Sequence, residues 1–330
     1  MNLHENKKLF ADAVLAASNY LSINPIFVEK DYWITRSLKL MAKADYDKRA
    51  IFKGGTSCSK AHLIGARFSE DIDVAIVDAA SLNGNQRKML IKRLAKAMTS
   101  GLGEIQTPGV TSKGSNYYKA IYGYERIPEL HDAVMTGNVP VRLGQIMIEI
   151  NSFANPYPFV ECEIGSFIHE FLRKTGNYNV IEQYELNPFR LNVLDKRRTA
   201  TEKIVSLLRY SLADDYDTEL PRKIRHFYDL YFLMEDPECA DYFYSNEFIS
   251  DLSSLLNHDR GVFDNPHGWT SRSIQESPLC TSLPYLWDER LAFIYQTELS
   301  GLAYRKIPEG TRVLANVNKI FTIIKESGIM

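Results

Sequence analysis

The sequence lacks several features that would assign it to familiar classes of protein. No apolar run approaches the roughly 20 residues that a membrane-spanning helix needs, and the N-terminal stretch MNLHENKKLFADAVLAA is too polar for a secretory signal. The cysteines form no CxxC pair, and the histidines show no HExxH spacing. We therefore expect a cytoplasmic protein with neither a zinc site nor a disulfide framework. The cysteines concerned are Cys58, Cys162, Cys239 and Cys280.

An excess of positive charge and the common nucleotide-binding motifs are also missing. The 330 residues include 39 Lys and Arg against 41 Asp and Glu, a formal net charge of −2. This balance excludes a protein that coats nucleic acid through bulk charge, although it permits a local basic surface. The chain contains no GxxxxGK[ST], no GxGxxG opening a βαβ unit and no HRD followed by DFG. P-loop NTPases, Rossmann dehydrogenases and protein kinases are excluded on these grounds.

Hydrophobic periodicity predicts an α+β organisation for the first half of the chain. Helical spacing covers residues 5–20 and 27–43, which the Asn24-Pro25 break separates. A strand is predicted at 72–77 and a basic helix at 85–99. The segments YYKAIYGYE and VRLGQIMIEINSF then have the aromatic and β-branched content of successive strands.

The second half of the chain is predicted to be mainly helical. One strand-like segment, FRLNVLD, precedes the helical stretches KRRTATEKIVSLLRYS and RKIRHFYDLYFLME. The tail from 287 to 326 is also helical in pattern, with a break at 308–310. We place the boundary near 155–160, which gives a first domain of residues 1–157 and a second of residues 158–330.

The stretch KGGTSCSKAHLIGARFSEDIDVAI, at residues 53–76, carries the strongest chemical signal. Asp71 and Asp73 lie two apart on a predicted strand, so both side chains face one side. Carboxylates this close repel each other unless a cation lies between them. Mg²⁺ or Mn²⁺ suits such hard oxygen ligands and would bridge the phosphates of a nucleotide substrate.

The glycine pair in the same stretch suggests a phosphate site. Gly54 and Gly55 allow a ligand to approach the backbone, and Thr56 and Ser57 begin a helix whose N–H groups favour an anion. A tight turn and a solvated strand edge would explain each feature separately. Their combination within one short unit favours a metal and phosphate site.

The motifs GGTS and RFSEDID together resemble the first motif of the nucleotidyltransferase superfamily, in the form found in the AbiEii/AbiGii toxin family. Further segments that fit this family are VEKDYW at 28–33, TATEKIVSLL at 199–208 and RHFYDLYFL at 225–233. The resemblance implies a polymerase-β-like nucleotidyltransferase domain with a mixed β-sheet. It also implies a mainly helical C-terminal domain that completes the active site.

Roles for individual residues follow from the resemblance, position by position. It implies that Asp71 and Asp73 ligate the metal, that Lys203 contacts the triphosphate and that Asp229 is the acidic residue of the last motif. The last motif often contains an Arg-Asp pair, but this chain has Arg225 and His226 there, which leaves the role of position 226 open.

Other residues are weaker candidates for the site. Glu149, in the strand-like GQIMIEI, is either a general base or metal ligand or an exposed strand glutamate, because the sequence does not fix the strand register. Lys60 and Arg67 flank the first motif as phosphate-binding candidates with a purely structural alternative, and Ser69 belongs to the proposed nucleotide-binding set.

A concentration of basic residues in the second half could hold an RNA backbone, with Tyr210, Phe227 and Tyr228 available to stack on bases. Solvated helices and core aromatics are the alternative. The basic residues are Lys196, Arg197, Arg198, Lys203, Arg209, Arg222, Lys223 and Arg225.

The functional hypothesis is a metal-dependent nucleotidyltransferase toxin of a toxin–antitoxin or phage-defence system. It would transfer NMP from an NTP to a hydroxyl acceptor, for which the resemblance implies the tRNA 3′ end, and it would have a cognate antitoxin. Two alternatives stay open: transfer to a small molecule or protein, and a non-catalytic protein that binds nucleotide or RNA.

Overall fold

The computed structural model describes residues 1–128, 130 and 142–329. The chain divides into two compact units. Unit 1 consists of Met1–Leu63 and Phe68–Leu194, and unit 2 consists of Ile64–Arg67 and the chain from Asp195 onward. A short part of the first motif therefore belongs to unit 2, although the residues on either side of it belong to unit 1.

Unit 1 combines helices with a β-sheet. Its described helices are Lys7–Leu21 (α1), Pro25–Ala44 (α2), Gly54–Lys60 (α3), Gly84–Met98 (α4), Phe167–Lys174 (α5) and Tyr178–Gln183 (α6). Its described strands are Ala50–Lys53 (β1), Asp71–Ile76 (β2), Gly103–Ile105 (β3), Ser112–Lys113 (β4), Tyr117–Gly123 (β5), Gln145–Asn151 (β6), Phe159–Ile164 (β7) and Phe189–Leu194 (β8).

The strands form one mixed sheet in the order β3-β5-β6-β2-β1-β8-β7, and β4 pairs with β5. The pairs β2–β6 and β1–β8 are parallel, whereas β1–β2, β5–β6 and β7–β8 are antiparallel. The predicted α+β class with a mixed sheet is thus confirmed. β2, which carries Asp71 and Asp73, is an interior strand with β1 and β6 on either side.

The local signals in the sequence explain where these elements begin. Asn24 caps α2 by accepting a hydrogen bond from the backbone N–H of Ile26, and Pro25 occupies the first helical turn, where its missing N–H costs nothing. Asn83 forms a capping box with Gln86 at the start of α4. The structure confirms the predicted helices and the strand at 72–77 to within a few residues.

The sequence did not predict β7, α5 or α6. β7 is at one end of the sheet and most of its side chains reach solvent, so the segment FVECEI carries no clean apolar alternation. It pairs with β8, which lies beside β1 through Phe52 and Val193. Residues 158–194 are therefore part of unit 1, whereas the sequence-based boundary falls before them.

Unit 2 is helical over its described residues. Its α-helices are Lys196–Ser211 (α7), Tyr216–Glu219 (α8), Ile224–Glu235 (α9), Pro237–Phe243 (α10), Asn246–Val262 (α11), Pro278–Thr281 (α12), Leu283–Leu286 (α13), Glu289–Leu302 (α14) and Gly310–Glu326 (α15). Its core collects apolar faces from α7, α9, α11, α14 and α15. No described helix of either unit has the length and apolar character needed to cross a membrane.

Buried charges on α2 connect elements of unit 1. Asp31, from the VEKDYW segment, accepts a hydrogen bond from Lys60 Nζ at 2.5 Å and another from the backbone N–H of Phe167 at 2.8 Å. Both side chains of the Asp31–Lys60 pair are 7% exposed. One carboxylate thus joins α2 to the end of α3 and to the start of α5.

We expect Asp31→Ala to lower the free energy of unfolding by about 3–5 kcal/mol, because it leaves the Lys60 ammonium buried without its carboxylate. Urea denaturation followed by circular dichroism measures the change. Asp12→Ala, at an exposed position of α1, is the matched control and should stay within about 0.5 kcal/mol of the parent. Equal midpoints for the Asp31 and Asp12 variants would contradict this account.

Candidate functional site

A row of charged side chains crosses the sheet of unit 1 at the position of the DxD motif. Lys53 on β1 is opposite Asp73 on β2, Asp73 is in register with Glu149 on β6, and Glu149 is opposite Lys119 on β5. Side chains at paired positions of neighbouring strands project to the same face. The register that the sequence could not supply therefore places Glu149 beside Asp73, between two lysines.

The carboxylates on this face perturb one another. Burial raises the pKa of Asp73 to about 7, and the charges of Glu149 and Asp71 contribute to this increase. Burial and the charge of Glu70 likewise raise the pKa of Asp71. Neighbouring carboxylates that are partly removed from water are stabilised by a cation bound between them or by protonation of one of them.

Lys119 and Tyr117 on β5 belong to this face, and sequence reasoning missed them. Lys119 Nζ is 3.0 Å from a Glu149 carboxylate oxygen, and the Tyr117 side chain is also hydrogen-bonded to Glu149. The alternation within YYKAIYG places residues 117 and 119 on one face. Only the pairing of β5 with β6 shows that this face is the one that carries Glu149.

The glycine turn lies directly against the acidic strand. Gly54 has φ +82°, and a Cβ added there would overlap Asp73 Oδ2. Thr56 Oγ1 donates a hydrogen bond to the Asp71 carbonyl, and Ser57 Oγ donates to the Gly54 carbonyl at 2.9 Å. Gly54 is therefore required both for its left-handed backbone and for its lack of a side chain. Gly55 is the next residue of α3, so both glycines lie at the start of that helix.

Lys60 and Ser69, the other two nucleotide-binding candidates in unit 1, have different surroundings. Lys60 donates to Asp31 and, at 3.0 Å, to the Gly165 carbonyl, which is the structural alternative that the sequence left open. Ser69 is partly exposed, two residues before Asp71. The Lys60 ammonium is thus occupied by a buried carboxylate, whereas the Ser69 hydroxyl lies at a partly exposed position.

The acidic face fits a divalent metal that is bound partly by substrate. Among the described residues, no group of three or more His, Cys, Asp or Glu is arranged to hold a metal ion by itself. Mg²⁺ is often held by one or two carboxylates together with substrate phosphates and water. Asp71 and Asp73 offer such a pair, and the raised pKa of Asp73 indicates carboxylates that a cation would stabilise.

The remaining motif residues meet inside unit 2. The Arg67 guanidinium makes two hydrogen bonds of 2.7 Å to the two oxygens of Asp229, and Lys203 Nζ donates to Asp229 Oδ2 at 2.7 Å. Burial alone would raise the pKa of Asp229, but the two cations hold it well below its usual range. Arg67, a phosphate candidate from sequence, is thus half of a bidentate ion pair.

The segment 64–67 is fixed in unit 2 by further contacts. The backbone N–H of Ala66 donates to Tyr228 Oη at 3.0 Å, and the Ala66 carbonyl accepts from the backbone N–H of Tyr304 at 2.9 Å. Arg67 also forms an isolated β-bridge with Ala303. The chain therefore contributes the four residues Ile64–Arg67 to unit 2 and returns to unit 1 at Phe68, shortly before the acidic strand.

The basic concentration in unit 2 does not present the expected stacking surface. Phe227 is 0% and Tyr228 1% exposed, so both are core residues, which is the alternative to base stacking that the sequence left open. Several of the basic side chains are paired with carboxylates: Lys196 with Asp236, Arg197 with Asp195, Arg222 with Glu219 and Arg225 with Glu298. These pairs correspond to the solvated-helix alternative.

Burial favours the neutral imidazole of His226, which replaces the acidic residue often found in the last motif. Burial lowers its pKa well below the ordinary histidine value, and the positive charge of Lys203 lowers it further. A neutral imidazole does not compete with Arg67 and Lys203 for the Asp229 carboxylate.

We expect Asp73→Asn to stabilise the metal-free protein at pH 8 by about 1–3 kcal/mol. The folded pKa of about 7 exceeds the ordinary aspartate value, so ionising Asp73 opposes folding as the pH rises. The gain should be complete above pH 7 and absent below about pH 4. Urea unfolding in EDTA at pH 8 and at about pH 4 measures the difference in stability between variant and parent, and Asp12→Asn is the exposed control. A variant no more stable than the parent at pH 8 would disprove the crowding of carboxylates.

We expect Asp229→Asn to destabilise unit 2 by about 3–5 kcal/mol at neutral pH, since two buried cations lose their shared carboxylate. Because the pKa of Asp229 is depressed, this contribution is present above about pH 4 and is lost only in more acidic solution. Hydrogen exchange within α7 and α9 reports the loss. Asp241→Asn, exposed on α10, is the control, and matching exchange rates in the two variants would refute the prediction.

Comparison with known proteins identifies a solved structure of similar fold. MenT4, a nucleotidyltransferase toxin from Mycobacterium tuberculosis H37Rv, matches with a TM-score of 0.58 and 17% identity over 95% of this chain and 89% of its own. At that identity the likeness shows a shared fold. JHP933 from Helicobacter pylori matches with a TM-score of 0.44 and 13% identity over 91% of this chain and 93% of its own, which is too weak to indicate a common fold. A comparison with curated proteins gave no significant match.

The family assignment rests on the sequence. The profile described as "Nucleotidyl transferase AbiEii toxin, Type IV TA system" matches residues 36–279, most of the chain, including the first motif and the segments that contain Lys203 and Asp229. Membership implies an NTP substrate and an antitoxin partner. The chain therefore belongs to the AbiEii family of nucleotidyltransferase toxins.

Proposed function

We propose that this toxin transfers a nucleoside monophosphate from an NTP to a hydroxyl acceptor at the acidic face of unit 1. The observation that carries the proposal is the direct contact between Gly54 and the Asp73 carboxylate. A turn that lets phosphate approach the backbone thereby lies beside carboxylates that suit a divalent metal.

Asp71 and Asp73 would hold Mg²⁺ or Mn²⁺, which supplies positive charge to the phosphate oxygens when it is bound. The turn from Gly54 to Ser57 would receive the triphosphate, because its backbone approaches the acidic strand with no intervening Cβ. Ser69, two residues before Asp71, completes the nucleotide-binding set on this side.

Glu149 is the candidate general base. Its position in register with Asp73 puts it on the same face, and its bonds to Lys119 and Tyr117 hold the carboxylate in place. In the reaction, the acceptor oxygen forms a bond to the α-phosphorus as its proton passes to Glu149. The bond from the α-phosphorus to the bridging oxygen breaks, and pyrophosphate leaves with that electron pair.

For Lys203 and Asp229 we propose the roles that the family motifs imply: a phosphate contact for the lysine and a supporting role for the aspartate. Asp229 pairs with both Lys203 and Arg67.

We propose the tRNA 3′ end as the acceptor, within a toxin–antitoxin or phage-defence system. The support is family membership, since Phe227 and Tyr228, two of the three aromatic residues considered for stacking on RNA bases, are buried. Mass analysis of tRNA 3′ ends after brief expression tests the acceptor. Added nucleotides are expected, and unchanged ends together with labelled protein or small molecules would reject tRNA.

Asp71→Asn is expected to abolish both transfer and toxicity, a loss of at least about 1000-fold in rate, because half of the carboxylate pair that holds the metal is gone. The assay follows α-labelled NTPs incubated with total tRNA, and growth arrest is scored in parallel. Asp12→Asn should retain the parental rate. Transfer by folded Asp71→Asn protein would disprove the proposed site.

A further inference from the structure

Arg142 is held beside the acidic strand by hydrogen bonds to its backbone carbonyl and its backbone N–H. Lys30 on α2, with a side chain that is 0% exposed, donates to the Arg142 carbonyl at 2.8 Å and to Glu70 at 2.5 Å. Glu70 in turn accepts a hydrogen bond from the backbone N–H of Arg142 at 2.9 Å. One buried ion pair therefore fixes both polar groups of a single peptide position.

The Arg142 side chain, in contrast, is held only weakly by its present contacts and can form others. It is 45% exposed, and its Nη1 lies 3.4 Å from Glu70 Oε1 and 3.5 Å from Asp71 Oδ1. Contacts of that length are weak, and both use the same nitrogen. A fixed backbone thus presents a guanidinium next to the first carboxylate of the DxD motif, and its side-chain contacts to the described residues are both long.

We propose that Arg142 is a substrate-binding residue that contacts the phosphates of the NTP, and that Lys30 and Glu70 are positioning residues acting through it. The inference rests on the proposed function of the acidic face. A divalent cation on Asp71 would repel the guanidinium and take the oxygen that it now approaches. The triphosphate brought by the same cation is the nearest new anion, and the planar guanidinium suits bidentate contacts to phosphate oxygens.

The proposal also explains two motif residues that the chemistry otherwise leaves unused. Burying the Lys30 ammonium is expensive unless it is paired and hydrogen-bonded. Lys30 belongs to VEKDYW and Glu70 belongs to RFSEDID. The two residues are 40 positions apart in the sequence. Their pairing places a third segment, which leads from Arg142 into β6, next to Asp71.

Binding of a nucleotide that cannot react tests the proposal. The probes are the α,β-methylene analogues of the four NTPs, each titrated by calorimetry in Mg²⁺. Arg142→Ala is expected to weaken binding of the preferred analogue about 10–100-fold, and Arg142→Lys less. The alanine variant keeps the backbone N–H and carbonyl that Glu70 and Lys30 contact, so its fold should be intact.

The matched control is Arg93→Ala. Arg93 is also a partly exposed arginine of unit 1, 37% exposed and 3.1 Å from Asp47, and its loss should leave analogue binding unchanged. Glu70→Gln tests the positioning role. Glu70→Gln should weaken analogue binding when Arg142 is present and should cause little further loss of binding in the Arg142→Ala background. A general effect on folding would weaken binding by the same factor in both backgrounds.

Each result has one meaning. Binding by Arg142→Ala with the parental affinity, while the parent binds an analogue, would overturn the role of Arg142 and leave the proposed function standing. Tighter binding by Arg142→Ala would also overturn it, because the guanidinium would then obstruct Asp71. A parent that binds none of the four analogues would reject the proposed function, and with it the role of Arg142.

Discussion

The burial of neighbouring carboxylates on one face of the sheet is the constraint on which the rest of unit 1 depends. Burial makes it costly to ionise Asp71 and Asp73, and repulsion from Glu70 at Asp71 and from Glu149 and Asp71 at Asp73 adds to the cost. Lys119 and Lys53 lie on the same row of the sheet and partly offset the cost. A fold that keeps such a cluster without bound metal must obtain its stability elsewhere.

Charges that are buried in pairs hold the segments around this face in place. Asp31 pairs with Lys60 and Lys30 with Glu70, so charged residues within VEKDYW join α2 to segments that surround the acidic strand. In unit 2, Asp229 pairs with both Arg67 and Lys203 in one network. A charge buried in a specific pair is costly to misplace, and these pairs therefore restrict the positions of the segments that they join.

Much of the fold was predictable because its signals are local. Capping by Asn24 and the apolar spacing of α2, α4, α7 and α9 identify helices without tertiary information. β7 was missed because its side chains are mostly exposed and its partner, β8, is distant in the sequence. The division between the units was not predictable either, since β8 belongs to the sheet only through its pairing with β1 and β7.

By itself, the sequence determined the family and the identity of the two β2 carboxylates, because short motifs and alternation along one strand are properties of consecutive residues. Only the tertiary structure decided that Glu149 and Lys119 join that face, since strand register depends on pairing between distant segments. It also decided that Lys60 and Arg67 form buried ion pairs and that Phe227 and Tyr228 are core residues. Burial depends on packing against distant elements, which no local pattern records.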